Sequence, residues 1–124
     1  LFDGYFIEPC IHHNGRLVLG EAIGDLGGVK MAYLAFRKVI DSGSPAPVID
    51  GFTPDQQFFM AEARWRGAAI RPEYQRVLVQ SDPHPVAKFR IVGPLSNLSQ
   101  FQSAFSCKEG TGMVRPAAER CVVW

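Results

Sequence analysis

Two carboxylates, Glu21 and Asp25, stand four residues apart in the glycine-rich run Gly20 to Gly28. In a helix this spacing places both side chains on one face, one turn apart. Two anions at that distance repel each other unless a cation or a hydrogen-bond donor lies close to them. One interpretation is a solvated acidic face. The other makes Glu21 an oxygen ligand of a metal and Asp25 the acceptor that orients a neighbouring ligand, commonly a histidine ring.

The three histidines differ in what their neighbours allow. His84 lies between Pro83 and Pro85, so a rigid turn can aim its imidazole at little cost in entropy; the alternative is a capping or solvent-facing histidine. His12 and His13 are adjacent and cannot both face one metal from a strand, which predicts loop or surface residues. Because no HExxH helix is present, the chain cannot supply a zinc site of two histidines and one glutamate by itself.

Arg90 stands in the otherwise apolar run Lys88 to Ile91. A buried guanidinium needs partners, since its charge is costly to remove from water. It could fork onto a substrate carbonyl or onto a structural carboxylate, and the sequence leaves both possibilities open.

A long helix must carry the two carboxylates. The spacing of apolar and small residues, with no proline, predicts a helix from Gly15 to Ile40, followed by a loop at Ser42 to Pro47. Glycine inside a helix costs about 1 kcal/mol relative to alanine. We therefore expect another backbone or a crowded site close to the four helical glycines, which are Gly20, Gly24, Gly27 and Gly28.

Three shorter helices follow in the predicted order. Thr53 with Gln56 forms a capping box that starts the second helix, and Gly67 ends it. Its predicted inner face consists of Phe58, Ala61 and Trp65. The remaining predicted elements are a helix from Pro72 to about Gln80, a turn at Asp82 to Pro85, a helix capped by Asn97 with Gln100, weak strands at Leu1 to Ile11 and Phe89 to Val92, and a loop-like tail from Lys108 to Trp124.

Composition bounds the class of protein. The chain has 124 residues, 47% of them apolar, and a net charge of +1, which predicts a single segment, residues 1–124, that is one compact domain or part of a larger one. Without a basic run there is no electrostatic footprint for nucleic acid. Because the start of the sequence, Leu1 to Tyr5, has neither a helix cap nor the composition of a leader peptide, we expect an upstream region. The three cysteines, Cys10, Cys107 and Cys121, form no CxxC pair. They indicate either buried thiols or, for Cys107 and Cys121, disulfide partners in that upstream region.

Several motifs, taken together, resemble the neprilysin and endothelin-converting-enzyme family of zinc metallopeptidases. The family pattern Gly-Glu-x-Ile-x-Asp-x-Gly-Gly is matched at Gly20 to Gly28, and Arg-Pro-Glu-Tyr at Arg71 to Tyr74. The segment Asp82 to Asn97 resembles the family's Asp-x-His-Pro, Phe-Arg and Gly-x-Leu-x-Asn elements, and Cys121 to Trp124 its ending. These motifs follow the family order from about Asn14 to the last residue.

The resemblance implies a fold, an activity and a set of residue roles. The fold is the carboxy-terminal helical part of a thermolysin-like (gluzincin) catalytic domain, mainly α with little strand, and the activity is zinc-dependent endopeptidase hydrolysis of peptides. Glu21 is implied to be the third zinc ligand, and Asp25 to hold a zinc-binding histidine of an upstream HExxH helix. His84 is implied to stabilise the oxyanion and Arg90 to anchor a substrate carbonyl.

The resemblance also has limits and consequences. Ala22 and Gly24 replace the usual Asn and Ala, and Arg66 stands where vertebrate members carry a cysteine, so one of their disulfides cannot form. Without HExxH, which supplies the general base, the isolated chain is expected to be inactive. Family members are often secreted or membrane-anchored, which predicts an extracytoplasmic location, with any anchor in the upstream part.

Two other functions compete with a peptidase. One is a non-catalytic helical interaction module that keeps the fold without the active helix. The other is a stand-alone metal enzyme that uses His12, His13 and Glu21. An apolar face left open near the glycines would favour self-association of this chain.

Overall fold

Five helices and one small hairpin make up the chain. The structure is a computed structural model that describes residues 1–124, and it confirms a mainly α fold with little strand. The elements are a 3-10 turn at Phe2–Gly4, β1 (Phe6–Glu8), β2 (Ile11–His12), α1 (Leu19–Asp41), α2 (Pro54–Arg66), α3 (Pro72–Ser81), α4 (Ala87–Asn97), α5 (Ser99–Ala104) and a second 3-10 turn at Ala117–Glu119. The two strands pair antiparallel. None of the helices combines the length and the apolar character that crossing a bilayer requires.

Helix α1 begins four residues later than its pattern predicts. The side chain of Asn14 accepts hydrogen bonds from the backbone N–H groups of Arg16 and Leu17, at 3.1 and 3.3 Å. A side chain that captures these donors favours a turn over a helix. The segment from Gly15 to Val18 is therefore a turn, and α1 starts at Leu19.

The predicted capping box of α2 is confirmed. The Thr53 hydroxyl accepts from the Gln56 N–H at 3.3 Å, and the Gln56 side chain accepts from the Thr53 N–H at 2.9 Å. Its predicted inner face is wrong at Trp65, which is 69% exposed, whereas Phe59 is only 1% exposed. The helix is rotated so that Phe58 and Phe59 meet the core, because an aromatic pair fills more volume there than one indole at the end of the helix.

The predicted strand at Phe89 to Val92 is instead the first half of α4. A short apolar run cannot be assigned to helix or strand by periodicity alone. The helix is nucleated at Val86, whose carbonyl accepts from the N–H groups of Phe89 and Arg90. Asn97 ends α4 and does not cap α5: its side chain donates to the Gly93 carbonyl at 2.7 Å and accepts from the Cys121 N–H at 2.8 Å.

Two apolar clusters organise the helices. The larger one lies between α1, α2, α4 and α5, and its buried members are Leu26, Val29, Tyr33, Phe59, Leu95 and Leu98. The smaller one joins the hairpin to α3 and α4 through Val79, Val86 and Phe89. Helix α4 contributes to both clusters, so it is the element that connects the amino-terminal hairpin with the long helix α1.

The tail returns to α1, as a loop with one 3-10 turn. Lys30 donates to the Val123 carbonyl at 3.0 Å, and the Trp124 indole lies where a side chain at Gly27 would project, 2.7 Å from an added Cβ. A Cβ added at any of the other three glycines of α1 would have no atom within 4 Å. The neighbouring backbone that these glycines led us to expect is therefore not found in this chain. Cys10 and Cys121 are exposed, which excludes the buried-thiol interpretation for both.

We expect Phe59→Ala to lower the free energy of unfolding by about 3 to 5 kcal/mol, because it removes a fully buried ring and leaves a cavity. Tyr74→Ala, at a position 59% exposed, is the matched control and should cost less than about 0.5 kcal/mol. Urea unfolding followed by circular dichroism measures both. Equal effects of the two substitutions would show that the larger cluster is not the core.

Candidate catalytic site

Helix α1 presents its two carboxylates in different environments. The Glu21 side chain is 43% exposed, whereas that of Asp25, one turn further along, is 6% exposed. A solvated acidic face therefore does not describe this helix. Burial makes Asp25 a charge that needs partners, while Glu21 remains accessible at the edge of the same face.

Two arginines neutralise Asp25. Arg90 of α4 forms a fork, with Nε donating to Oδ2 and Nη2 to Oδ1, each at 2.7 Å. Arg66 of α2 donates through Nη2 to Oδ1, also at 2.7 Å. Oδ1 thus accepts two hydrogen bonds and Oδ2 one, which leaves room for one more donor at Oδ2. The bonds to Asp25 raise the pKa of Arg90, although partial burial acts in the opposite direction.

Arg66 is a site residue that the sequence reasoning missed. Its Nε donates to Glu62 Oε1 at 3.3 Å, and its guanidinium lies 4.7 Å from the centre of the Trp65 ring. Stacking and two carboxylates hold this side chain in one position. The spacing of Glu62 and Arg66, at i and i+4, is the only local signal that could have drawn attention to it.

The turn before α4 holds His84 in a fixed orientation. Asp82 Oδ1 accepts from the His84 backbone N–H at 2.8 Å and from its ring Nδ1 at 2.7 Å. The first of these bonds, then the second, lowers the pKa of Asp82. On the other side of the ring, Nε2 lies 3.1 Å from Glu21 Oε2. The imidazole therefore points at the exposed carboxylate of α1.

The four residues singled out by the sequence lie in one continuous network. Arg90 Nη2 also lies 3.7 Å from Glu21 Oε2, which closes the connection between Asp25 and His84. Acidic and basic side chains alternate along the chain of contacts, which runs Glu62, Arg66, Asp25, Arg90, Glu21, His84, Asp82. A cleft of about 260 Å³ runs beside it, with Trp65, Arg66, His84 and Arg90 among its lining residues.

His12 and His13 lie outside this network. His12 is exposed on β2. His13 lies in the loop after β2, one of the two positions predicted for it, but it is fully buried and therefore not a surface residue. Its ring fits between the hairpin and α4, where aromatic side chains surround it. The metal-enzyme hypothesis that joined both histidines to Glu21 is incompatible with this placement.

The fit to zinc depends on Glu21. Its carboxylate is exposed, and the glycines before and after it in α1, at positions 20 and 24, leave open space beside the helix. One exposed carboxylate suits a single position of a tetrahedral zinc site. No group of three or more His, Cys, Asp or Glu side chains in this chain is arranged to hold a metal ion.

Solved structures define the class of protein first. The chain superposes on the inhibitor complex of the Mycobacterium tuberculosis zinc metalloprotease Zmp1 with a TM-score of 0.91 and 32% sequence identity, covering 99% of this chain and 20% of that one. The fold is therefore that of a helical part of a zinc metalloprotease.

The sequence relatives then give the family. The profile of Peptidase family M13 matches residues 2–121, and the chain belongs to this family. It is 37% identical to Neprilysin-21 of Caenorhabditis elegans over 97% of this chain, and 38% identical to Membrane metallo-endopeptidase-like 1 of Homo sapiens over 90% of it. The chain spans only 16% and 14% of the length of these two relatives.

Asp25→Ala should destabilise the chain by about 3 kcal/mol, because it leaves two partly buried guanidinium groups without their shared carboxylate. Asp41→Ala is the matched control: it breaks the more exposed i, i+4 pair with Arg37 on the same helix and should leave the unfolding midpoint unchanged. Chemical unfolding of both variants measures the difference. A midpoint for Asp25→Ala equal to that of the wild type would contradict the buried network.

Proposed function

We propose that this chain is the carboxy-terminal part of the catalytic domain of a zinc metalloendopeptidase, and that Glu21, Asp25, His84 and Arg90 belong to its active site. One observation carries the proposal: these residues come from three separate segments and form a single contact network beside a cleft. Membership of Peptidase family M13 supports the same chemistry.

Glu21 is the metal ligand that this chain contributes. Bound zinc would supply Lewis-acid polarisation of the scissile carbonyl and a water of lowered pKa. Glu21 offers an exposed carboxylate for it, and the remaining ligands lie outside this chain. To take that role, Glu21 exchanges its contact with His84 Nε2 for the metal.

Asp25 is the acceptor that orients a zinc-binding histidine from the upstream helix. Its Oδ2 atom receives only the Nε hydrogen bond of Arg90 and can accept one more. The hydrogen bonds from the two arginines hold the carboxylate in a fixed orientation, which is what an outer partner of a metal ligand must provide.

His84 is the donor that stabilises the oxyanion when water adds to the scissile carbonyl. Asp82 fixes the ring through Nδ1, which leaves Nε2 directed towards the side of α1 where Glu21 projects. A donor held in place before the reaction stabilises charge that develops only in the transition state.

Arg90 anchors a backbone carbonyl of the substrate with the part of its guanidinium that Asp25 does not use. Nε and Nη2 are engaged by the carboxylate, so Nη1 is the nitrogen left for a peptide in the adjoining cleft. Arg90 would then bind both a structural carboxylate and a substrate carbonyl, the two partners between which the sequence left the choice open.

The partners proposed for this chain are peptide substrates and the upstream part of the same protein. The outer side of α1 is apolar and uncovered, with Ile23, Met31 and Leu34 exposed by 37, 55 and 51% beside its open glycines. We assign this face to the upstream catalytic helix; in its absence the same face favours self-association, the behaviour expected of an interaction module. An extracytoplasmic location follows from the proposed peptidase.

The chain alone should not retain stoichiometric zinc after dialysis, because one carboxylate and a nearby imidazole are too few ligands. The whole peptidase, dialysed in parallel, should retain one zinc. Metal analysis by mass spectrometry measures both samples. Tight, stoichiometric zinc in the isolated chain would contradict the division of ligands between this chain and an upstream helix.

In the whole peptidase, His84→Ala should lower kcat by roughly 100 to 1000-fold with KM nearly unchanged and zinc still bound, since it removes a donor used only in the transition state. Glu21→Ala should instead abolish zinc retention, and Asp25→Ala should weaken zinc affinity by about 10 to 100-fold. Kinetics on a short peptide, with zinc content determined for each variant, separates these roles. Loss of zinc in His84→Ala would identify His84 as a ligand.

A further inference from the structure

His13 is buried, and the proposed reaction does not use it. Its side chain has no exposed surface, and its ring packs edge-on against Phe89 of α4, with centroids 5.2 Å apart. Phe2 covers a second side at 6.3 Å. An imidazole in such a place must find partners for both ring nitrogens, because an unpaired buried polar atom is costly.

Both ring nitrogens have partners, and the partners identify the tautomer. The backbone N–H of Val86 donates to His13 Nε2 at 3.0 Å, so Nε2 carries no proton. The neutral ring then bears its hydrogen on Nδ1, which faces the carbonyl oxygen of Tyr5 at 3.5 Å. Protonation of Nε2 would place its N–H group against the N–H group of Val86, and the hydrogen bond would be lost.

Val86 belongs to the turn that presents His84. Pro83 and Pro85 have no N–H group, so the turn has three backbone donors, at Asp82, His84 and Val86. The first donates to the Leu78 carbonyl of α3 and the second to the side chain of Asp82. Only the third bonds to a distant part of the chain, 73 residues away. His13 therefore makes the one long-range backbone hydrogen bond of this turn.

We propose that His13 is a positioning residue for the reaction: as a neutral imidazole it fixes the end of the turn at Val86 and thereby the placement of His84. The inference rests on the role proposed for His84. Asp82 sets the rotation of the His84 ring, and His13 sets where the turn sits against the hairpin and α4. A side chain without an acceptor at this position leaves the buried Val86 N–H unpaired and lets the turn shift.

The surroundings of His13 favour the neutral form. Burial, and then the neighbouring charge of His12, lower the pKa of His13, while its bond to the Tyr5 carbonyl acts in the opposite direction. The charged and titratable groups on the hairpin side and on α4 are Asp3, Tyr5, Glu8, Cys10, His12, Lys88 and Arg90, and the turn before Val86 adds Asp82 and His84. A lowered pKa means that the unfolded chain binds the proton first, so stability is complete above the ordinary value of about 6.5 and falls as the pH drops below it.

The first test concerns the hydrogen bond itself and is independent of any activity. In the isotope-labelled chain, NMR should show an unprotonated His13 Nε2 with scalar coupling to the Val86 N–H. Hydrogen exchange at Val86 should be slow in the wild type, fast in His13→Leu, and slow again in His13→Gln, whose side-chain oxygen reaches towards the place of Nε2. His12→Gln, on the exposed neighbour, should leave exchange at Val86 unchanged. Equal exchange rates in wild type and His13→Leu would overturn the inference.

The second test concerns the reaction and uses the zinc-loaded whole peptidase. His13→Leu should lower kcat by about 10 to 100-fold, the effect of misplacing a catalytic group by about 1 Å, while KM and zinc content stay as in the wild type. His13→Gln should recover most of the turnover, and His12→Gln should match the wild type throughout. The stability of the wild type should also fall relative to His13→Gln as the pH drops below about 6.5.

The two tests separate the inference from the function on which it rests. An active wild type whose kcat is unaffected by His13→Leu would overturn the positioning role alone. A wild type that binds zinc but hydrolyses no peptide would overturn the proposed function, and with it the role in positioning; hydrogen exchange at Val86 would still decide whether the His13 contact exists.

Discussion

The buried carboxylate of Asp25 is the constraint on which the arrangement of the helices depends. A charge that is 6% exposed is tolerated only where its lost hydration is replaced, and the replacements come from two other helices, through Arg66 of α2 and Arg90 of α4. Each of these bonds fixes two things: the rotation of the arginine's helix about its own axis, and the distance of that helix from α1. Helix α1 is thereby held with Glu21 at the accessible edge, next to the turn that carries His84.

The proposed catalytic residues lie where two packing units meet. The larger cluster fixes α1 against α2 and α4, and the smaller one fixes the start of α4 against the hairpin. His84 lies just before α4, so its position depends on both clusters. It is connected to the larger cluster through its contact with Glu21 of α1, and to the smaller one through the hydrogen bond between Val86 and His13. The site thus joins parts of the chain that are distant in sequence, and each part has its own apolar support.

The features that sequence reasoning found are those encoded locally. The i, i+4 spacing of Glu21 and Asp25, the capping box at Thr53 and the proline-bracketed turn at His84 each follow from the geometry of a few residues, and each occurs in the structure. Two of the motifs that carried the family resemblance, Gly20 to Gly28 and Asp82 to Asn97, include these carboxylates and this turn. Periodicity and capping are properties of one element, so they can be read before the tertiary structure is known.

The features that it missed depend on partners far along the chain. The assignment of Phe89 to Val92 as a strand failed because a short apolar run fits either state until its neighbours are known. The roles of Arg66 and His13 were missed because their partners are 41 and 73 residues away. Nothing in the local sequence indicates that Arg66 donates to a buried carboxylate or that His13 accepts from a buried backbone N–H. Trp65 was placed on the inner face of α2 together with Phe58 and Ala61, whereas the rotation of α2 is set by Phe59 and by the bond from Arg66 to Asp25.

The most direct test of the account is the crystal structure of the zinc-loaded whole protein. The account predicts a Glu21 carboxylate oxygen at about 2.0 to 2.2 Å from the metal. It also predicts that Asp25 Oδ2 accepts a hydrogen bond from a zinc-bound histidine while Oδ1 keeps its two arginines. A zinc ion bound elsewhere, with Glu21 still paired to His84 and no histidine at Asp25, would contradict it.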